Sequence, residues 1–269
     1  MKLPDAWTEI SRGHQVAFVL AICALVAFGG IVVYNEAFQK TVDCKRDPVQ
    51  QVNIVFDKTK WYDSKTQVHS VDRLIREIAD SADDNAEINL LYITENATKP
   101  HFKVNVCKPK VSGNPLVSSV GKAKLKYETE VIAKLKDAID LHYMYPAPAP
   151  ILESLDTISR ERIITAKIER HARVEFHLFS DLVQDSKNAS LRDCKRRGPR
   201  VAPGTIALEK KVRSFYRDIP VHVYAIYRNP ATTPGYPGEE CIRHFWESIF
   251  ASDSPRPNLD EYRFTWSVL

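Results

Sequence analysis

The sequence predicts an α/β protein: a doubly wound, mostly parallel sheet with one antiparallel strand, carried behind an N-terminal transmembrane helix. Three observations predict it. From residue 52 onward, β-rich runs alternate with segments of helical period, a pattern that builds parallel sheets covered on both faces. Two of those runs, 88–93 and 102–106, are joined by a short polar stretch, Glu95 to Pro100, which suits an antiparallel hairpin. Val16 to Tyr34 holds no charge over 19 positions, enough at about 1.5 Å per residue to match a hydrocarbon core about 30 Å thick.

The elements follow in order. Residues 1–15 form a short tail, 16–34 the membrane helix and 35–51 a linker. Trp7 and Tyr34 suit the two membrane interfaces. A cleaved signal peptide has a shorter apolar core and a small-residue exit, whereas this segment ends Val-Val-Tyr-Asn-Glu. An uncleaved anchor is therefore expected. Lys2 and Arg12 lie on one side, Lys40, Lys45 and Arg46 on the other, so flanking charge does not decide the orientation. A short N-terminal tail ordinarily stays in the cytoplasm, which puts the large domain outside it. A single-pass protein of a bacterial inner membrane, with its C-terminal domain in the periplasm, is the expectation.

The soluble domain is read as 52–269. Val52 to Phe56 is a strand ending at Asp57, and Val68, Val71, Leu74, Ile75 and Ile78 keep helical spacing over 64–78. The hairpin strands follow. Leu125, Val131, Ile132, Leu135, Ile139 and Leu141 mark a helix over 124–141, which the Pro-Ala-Pro-Ala-Pro run before Ile151 breaks. A helix over 151–170, a strand over 173–179, a polar basic loop over 184–203, a helix over 205–216 and a strand over 221–227 come next. Glu239 to Phe250 is a helix with a bulky apolar face, and 262–266 is an edge strand.

Hydrophobic residues make up 44% of the chain and the net charge is +4, which excludes a disordered or multi-span protein and gives no electrostatic case for nucleic acid. There is no phosphate-cradling glycine loop and no Gly-x-Ser-x-Gly elbow, so no small-molecule substrate is expected.

Asp57 and Asp181 fall at the carboxyl ends of the first and fourth strands, where open α/β sheets place their ligands. Strand, Asp-x-Thr, helix, hairpin, helices, strand, Ser-Asp, helix, strand, helix, strand resembles a von Willebrand factor A domain over roughly Val52 to Val268. In that family a metal-ion-dependent adhesion site reads Asp-x-Ser-x-Ser after the first strand, with a later Thr and an Asp after the fourth strand. The resemblance gives Asp57, Thr59 and Asp181 as ligands, with Mg²⁺ as the metal. Trp61 stands where the second serine belongs, Ala147, Pro148 and Ala149 stand where the Thr is expected, and Ser154 and Thr157 lie inside the next helix. The implied site is degenerate, because Mg²⁺ demands near-octahedral oxygen coordination. Capping and turn roles account for the same three residues without a ligand.

The resemblance implies a protein-interaction module more than an enzyme, with protein partners in a membrane-associated complex. A secretion or conjugation apparatus is the kind of envelope assembly in view. Trp61, Tyr62 and the cations Lys195, Arg196, Arg197 and Arg200 are the candidate partner-binding residues, since aromatics and Arg dominate interface energetics. A solvated basic loop is the plainer alternative for the cations. A second resemblance is enzymatic. Asp57-Lys58-Thr59 is similar to the phosphorylated motif of P-type pumps in the haloacid dehalogenase superfamily. It implies Asp57 as nucleophile, with Thr59, Thr94, Asp181 and Asp185 around a Mg²⁺ ion. Thr59 there replaces the general acid/base Asp of most soluble members.

The expected topology bears on the cysteines. Cys44 and Cys107 fall at the bottom of the sheet, Cys194 and Cys241 at the top, so those two disulfides are geometrically open; four unpaired thiols are the alternative. The bridges imply an oxidising compartment. His177 and His222 fall on predicted central strands as core or edge histidines. Asn96-Ala-Thr98 and Asn188-Ala-Ser190 match glycosylation sequons.

Overall fold

The computed structural model describes residues 17, 20–23, 44, 48–59, 65–98, 101–109, 120–139, 148–163, 166, 172–192, 194, 200–201, 205–216, 219–226, 238–250 and 264–268. The chain divides into two units. One comprises Met1–Val42 with Gly113–Val120; its described residues 17 and 20–23 are helical and exposed. Among the described residues no helix is long and apolar enough to cross a membrane, and most of the expected span 16–34 lies outside them.

The second unit, Asp43–Ser112 with Gly121–Leu269, carries the sheet. Its strands are β1 (Gln50–Asp57), β2 (Glu87–Ile93), β3 (His101–Cys107), β4 (Arg173–Ser180), β7 (Val221–Ala225) and β8 (Phe264–Val268), in the order β3-β2-β1-β4-β7-β8. β3 runs antiparallel to β2 and every other pairing is parallel. Two short strands inside the expected basic loop, β5 (Ala189–Ser190) and β6 (Arg200–Val201), pair with each other. The described helices are α1 (Lys65–Ser81), α2 (Val120–Lys126, continued by a π-helical Tyr127–Ile132 and Ala133–Ala138), α3 (Ile151–Ile158, with a π-helical Ser159–Ile163), α4 (Thr205–Tyr216) and α5 (Glu239–Phe250).

Alternation along the strands feeds two cores. Val52, Ile54 and Phe56 pack with Val71, Ile75 and Ile78 of α1 and Val131, Ile132 and Leu135 of α2. Val55, Phe176, Leu178 and Val223 face the other way, against Leu152 and Leu155 of α3, Tyr216 of α4 and Trp246 of α5. Each fully buried side chain of this size contributes about 1.5–3 kcal/mol. β1 is buried along its whole length, as a central parallel strand must be.

β1 starts two residues earlier than the apolar run suggests. Gln51 and Asn53 join Glu87, Asn89 and Asn105 in a polar file across β1, β2 and β3. The Gln51 amide donates to Glu87 Oε2 at 3.0 Å, Asn53 to Gln51 Oε1 at 3.2 Å and Asn89 to Asn53 Oδ1 at 3.2 Å. Asn105 donates to Asn89 Oδ1 at 2.8 Å and to Glu87 Oε1 at 2.5 Å. Gln51, Asn53 and Asn89 are fully buried, which is tolerable because each finds a partner.

Both disulfides form. Cys44 bonds to Cys107, with Cα atoms 5.8 Å apart, and Cys194 to Cys241, at 6.3 Å. The first lies at the base of the sheet, tying the segment before β1 to the end of edge strand β3. The second joins the loop between β5 and β6 to the first turn of α5.

Candidate functional site at the carboxyl ends of β1 and β4

β1 has β2 on one side and β4 on the other, so the winding reverses between β1 and β4. A crevice forms at such a reversal. Asp57 ends β1 and Ser180 ends β4, side by side. The Asp57 carboxylate is 2% exposed. Its Oδ1 accepts from the Thr59 backbone N–H at 2.9 Å and from the Thr59 hydroxyl at 2.6 Å. Its Oδ2 accepts from the Ser180 hydroxyl at 2.7 Å. Two residues after a strand, the chain thus turns back on its own carboxylate, as Asp does in tight turns.

The β4 end is held as firmly. The Leu182 N–H donates to Ser180 Oγ at 2.8 Å and Val183 N–H to Asp181 Oδ1 at 3.0 Å. Leu182 has φ of 59°, a conformation rare outside glycine and maintained only where surroundings over-determine it. Here the Trp246 indole donates to its carbonyl at 2.8 Å. Lys58, between Asp57 and Thr59, swings its ammonium 4.1 Å from the Tyr92 ring centroid, a cation–π contact.

The following loop is laced to α3. The buried Gln184 accepts from the Leu152 N–H at 2.8 Å, capping the helix, and donates to Glu153 Oε2 at 3.0 Å. Glu153 Oε1 accepts from Ser186 at 2.6 Å and Asn188 at 2.8 Å. This fixes one wall of a groove of about 590 Å³. Glu95 and Thr98 after β2, Pro148 and Pro150 before α3, Asp185 and Lys187 after β4, and Leu208 of α4 line it.

The structure therefore brings Asp57, Thr59 and Ser180 into one hydrogen-bonded set, with Asp181 next in the chain. Asp185 goes elsewhere: its carboxylate pairs with Arg192 at 2.7 Å and accepts from Ser190 at 3.2 Å. Thr94 follows β2, and its Oγ1 accepts from the Asn96 N–H at 3.4 Å. Ser154 is buried in α3, and the Thr157 hydroxyl donates to the Glu153 carbonyl at 3.1 Å. Trp61, Tyr62, Lys195, Arg196 and Arg197 lie outside the described residues, and Arg200 is described only as backbone of β6. Ser180 and Gln184 escape sequence reading as site residues; Ser180 closes the apolar strand, and Gln184 lies four residues further on in the loop that follows it.

Comparison of the sequence with protein-family models and with curated proteins returns no match. Solved structures align with much of the chain at low sequence identity. A von Willebrand factor type A protein from Catenulispora acidiphila matches at 11% identity and a TM-score of 0.46, over 82% of this chain and 38% of that one. The SpRpn10 VWA domain matches at 10% identity and 0.42, over 82% of this chain and 88% of that one. An aerotolerance-related membrane protein from Bacteroides fragilis matches at 14% identity and 0.35, over 75% and 86%. This chain thus spans well under half of the Catenulispora protein.

Proposed function

We propose that this chain is a protein-interaction module of von Willebrand factor A-like form, tethered by residues 16–34 and presenting the carboxyl edge of its sheet to a protein partner in a cell-envelope assembly. One observation carries the reading. The acidic centre at the winding reversal is closed on itself, with Asp57 nearly buried and its oxygens occupied by Thr59 and Ser180, while an open groove with fixed polar walls lies on the same edge. A locked centre beside an open groove suits docking better than turnover. Trp61, Tyr62, Lys195, Arg196, Arg197 and Arg200 are the partner-binding residues of this reading. Two disulfides support placing the domain outside the cytoplasm, in the periplasm.

Mg²⁺ fits this centre incompletely. Thr59 keeps hydroxyl lone pairs and Asp181 offers a carboxylate, but Ser180 both donates to Asp57 and accepts from Leu182. The described residues do not complete an octahedral oxygen set, so docking is derived without the metal.

The test is a photo-crosslinker placed at Lys187 on the groove, in membranes containing the full chain, with the same label at exposed Lys134 as reference. A discrete adduct at Lys187 alone, weakened by Trp61→Ala in a chain that still folds, is expected. Equal labelling at both positions would defeat the docking reading. Calorimetry with Mg²⁺ and beryllium fluoride covers the rival chemistry: metal-dependent capture of beryllium fluoride would turn the assignment to an aspartyl-phosphate enzyme.

A further inference from the structure

A separate cluster sits on the sheet face that points toward the α1 and α2 layer, three residues, or about 10 Å, below Ser180 along β4. His177 of β4 and His222 of β7 are direct register partners, and Glu175 precedes His177 by two, on the same face. The two imidazoles stack with centroids 4.7 Å apart and planes at 17°. Both direct Nε2 at a single carboxylate oxygen: Glu175 Oε1 lies 2.9 Å from His177 Nε2 and 3.4 Å from His222 Nε2. One ligand atom from each residue falls within 4.8 Å of the other two.

We propose that Glu175, His177 and His222 form a binding site for a divalent first-row transition metal ion, of which Zn²⁺ is the first choice. Metal–nitrogen bonds of about 2.0–2.1 Å in a tetrahedron put neighbouring ligand atoms about 3.4 Å apart; the His222 contact of 3.4 Å has that spacing and the His177 contact of 2.9 Å is shorter, so a small opening of the His177 ring admits an ion. Two histidines and one carboxylate match the affinity of imidazole and carboxylate for zinc and its neighbours rather than for Mg²⁺. The supporting shell is in place: His177 Nδ1 meets the Tyr224 hydroxyl at 3.3 Å, and the Gln50 amide donates to the second Glu175 oxygen at 2.9 Å. Outer partners of this kind orient metal-ligating side chains. Finally, access and enclosure are both present. The side chains of Glu175 and His222 are each 26% exposed, leaving a path for the ion and room for a water as fourth ligand, whereas His177 is 4% exposed. Tyr224 and Phe179, stacked at 4.4 Å, close the inner side.

The experiment uses the full chain, free of any histidine tag and stripped with chelator, titrated with Zn²⁺ against a chromogenic competitor and separately with Co²⁺. One ion per chain is expected, with an intense visible Co²⁺ spectrum of four- or five-coordinate form. His222→Gln should weaken Zn²⁺ binding on the order of a hundredfold, and Tyr224→Phe about tenfold, the lower end for an outer partner. His244→Gln, on an exposed histidine of α5, should leave binding unchanged. Circular dichroism verifies that each variant is folded; where His222→Gln fails to fold, Glu175→Gln takes its place. Absence of Zn²⁺ uptake by the folded wild-type chain, or undiminished uptake by a folded His222→Gln or Glu175→Gln chain, would overturn the proposal.

Discussion

Replacing Cys44 and Cys107 together by serine isolates what the base disulfide contributes. The bond closes a loop with a sequence separation of 63 residues. Chain-entropy arithmetic for a loop of that length gives about 4.3 kcal/mol at 25 °C. The Cys194–Cys241 bond, with a separation of 47, gives about 4.0 kcal/mol by the same relation. The two differ by only about 0.3 kcal/mol, because closure entropy grows with the logarithm of length. Urea unfolding of the full chain, followed by tryptophan fluorescence, measures both. Each double-serine variant should lose about 4 kcal/mol of a stability that rarely exceeds 15 kcal/mol. The denaturant slope should rise, since the freed chain exposes more surface on unfolding. A loss under about 1 kcal/mol for either variant would refute the reasoning that these bonds act by constraining the unfolded chain.

Two further perturbations probe the site wall and the helix layer. Gln184→Leu removes the acceptor of the Leu152 N–H and the donor to Glu153; leaving a buried N–H unpaired should cost about 2 kcal/mol in the same urea experiment, and an unchanged midpoint would contradict the capping role. Arg76 holds Glu128 with two bonds of 3.0 Å between α1 and α2, and these hydrogen bonds keep the Glu128 carboxyl below its ordinary value of 4.5. An acid so lowered adds stability that is fully present above about 4.5 and is lost as pH falls from there through the lowered folded value, so a carboxyl NMR titration should show Glu128 titrating at higher pH in Arg76→Gln than in the unaltered chain.

Much of the scaffold is legible in single segments. The helices over 205–216 and 239–250 carry their apolar stripes and keep the bounds read from spacing. The antiparallel β2–β3 pair follows from a connection too short for a crossover, and the cysteine pairs that form are the two that the strand ends leave open. What single segments do not carry is register between strands. Gln50 and Gln51 read as linker because they are polar, and they are buried in β1 because Glu175 and Glu87 receive them. His177 and His222 read as unrelated histidines until β4–β7 pairing sets them opposite each other. Asp57 and Asp181 are legible as strand-end acids; that Ser180 occupies Asp57 depends on the neighbouring strand. The β5–β6 pair is two residues per strand, too short to leave a periodic trace.

The polar file across β1, β2 and β3 has a bearing on how the chain selects its alignment. A parallel sheet greasy on both faces is nearly indifferent to sliding, because valine meets isoleucine whichever way a strand shifts. Moving β1 by one residue would instead turn Gln51 and Asn53 onto the side lined by Val71, Ile75 and Ile78. Moving it by two would keep the side and set Gln51 opposite Asn89, or Asn53 opposite Glu87, leaving the other amide of the pair without its partner. Each stranded amide costs about 1–3 kcal/mol, so either slip is penalised relative to the native register. The file works as a key cut at alternate positions: it adds little to the native arrangement and removes the competitors, leaving the strand ends, with Asp57 and Ser180 level, a single way to meet.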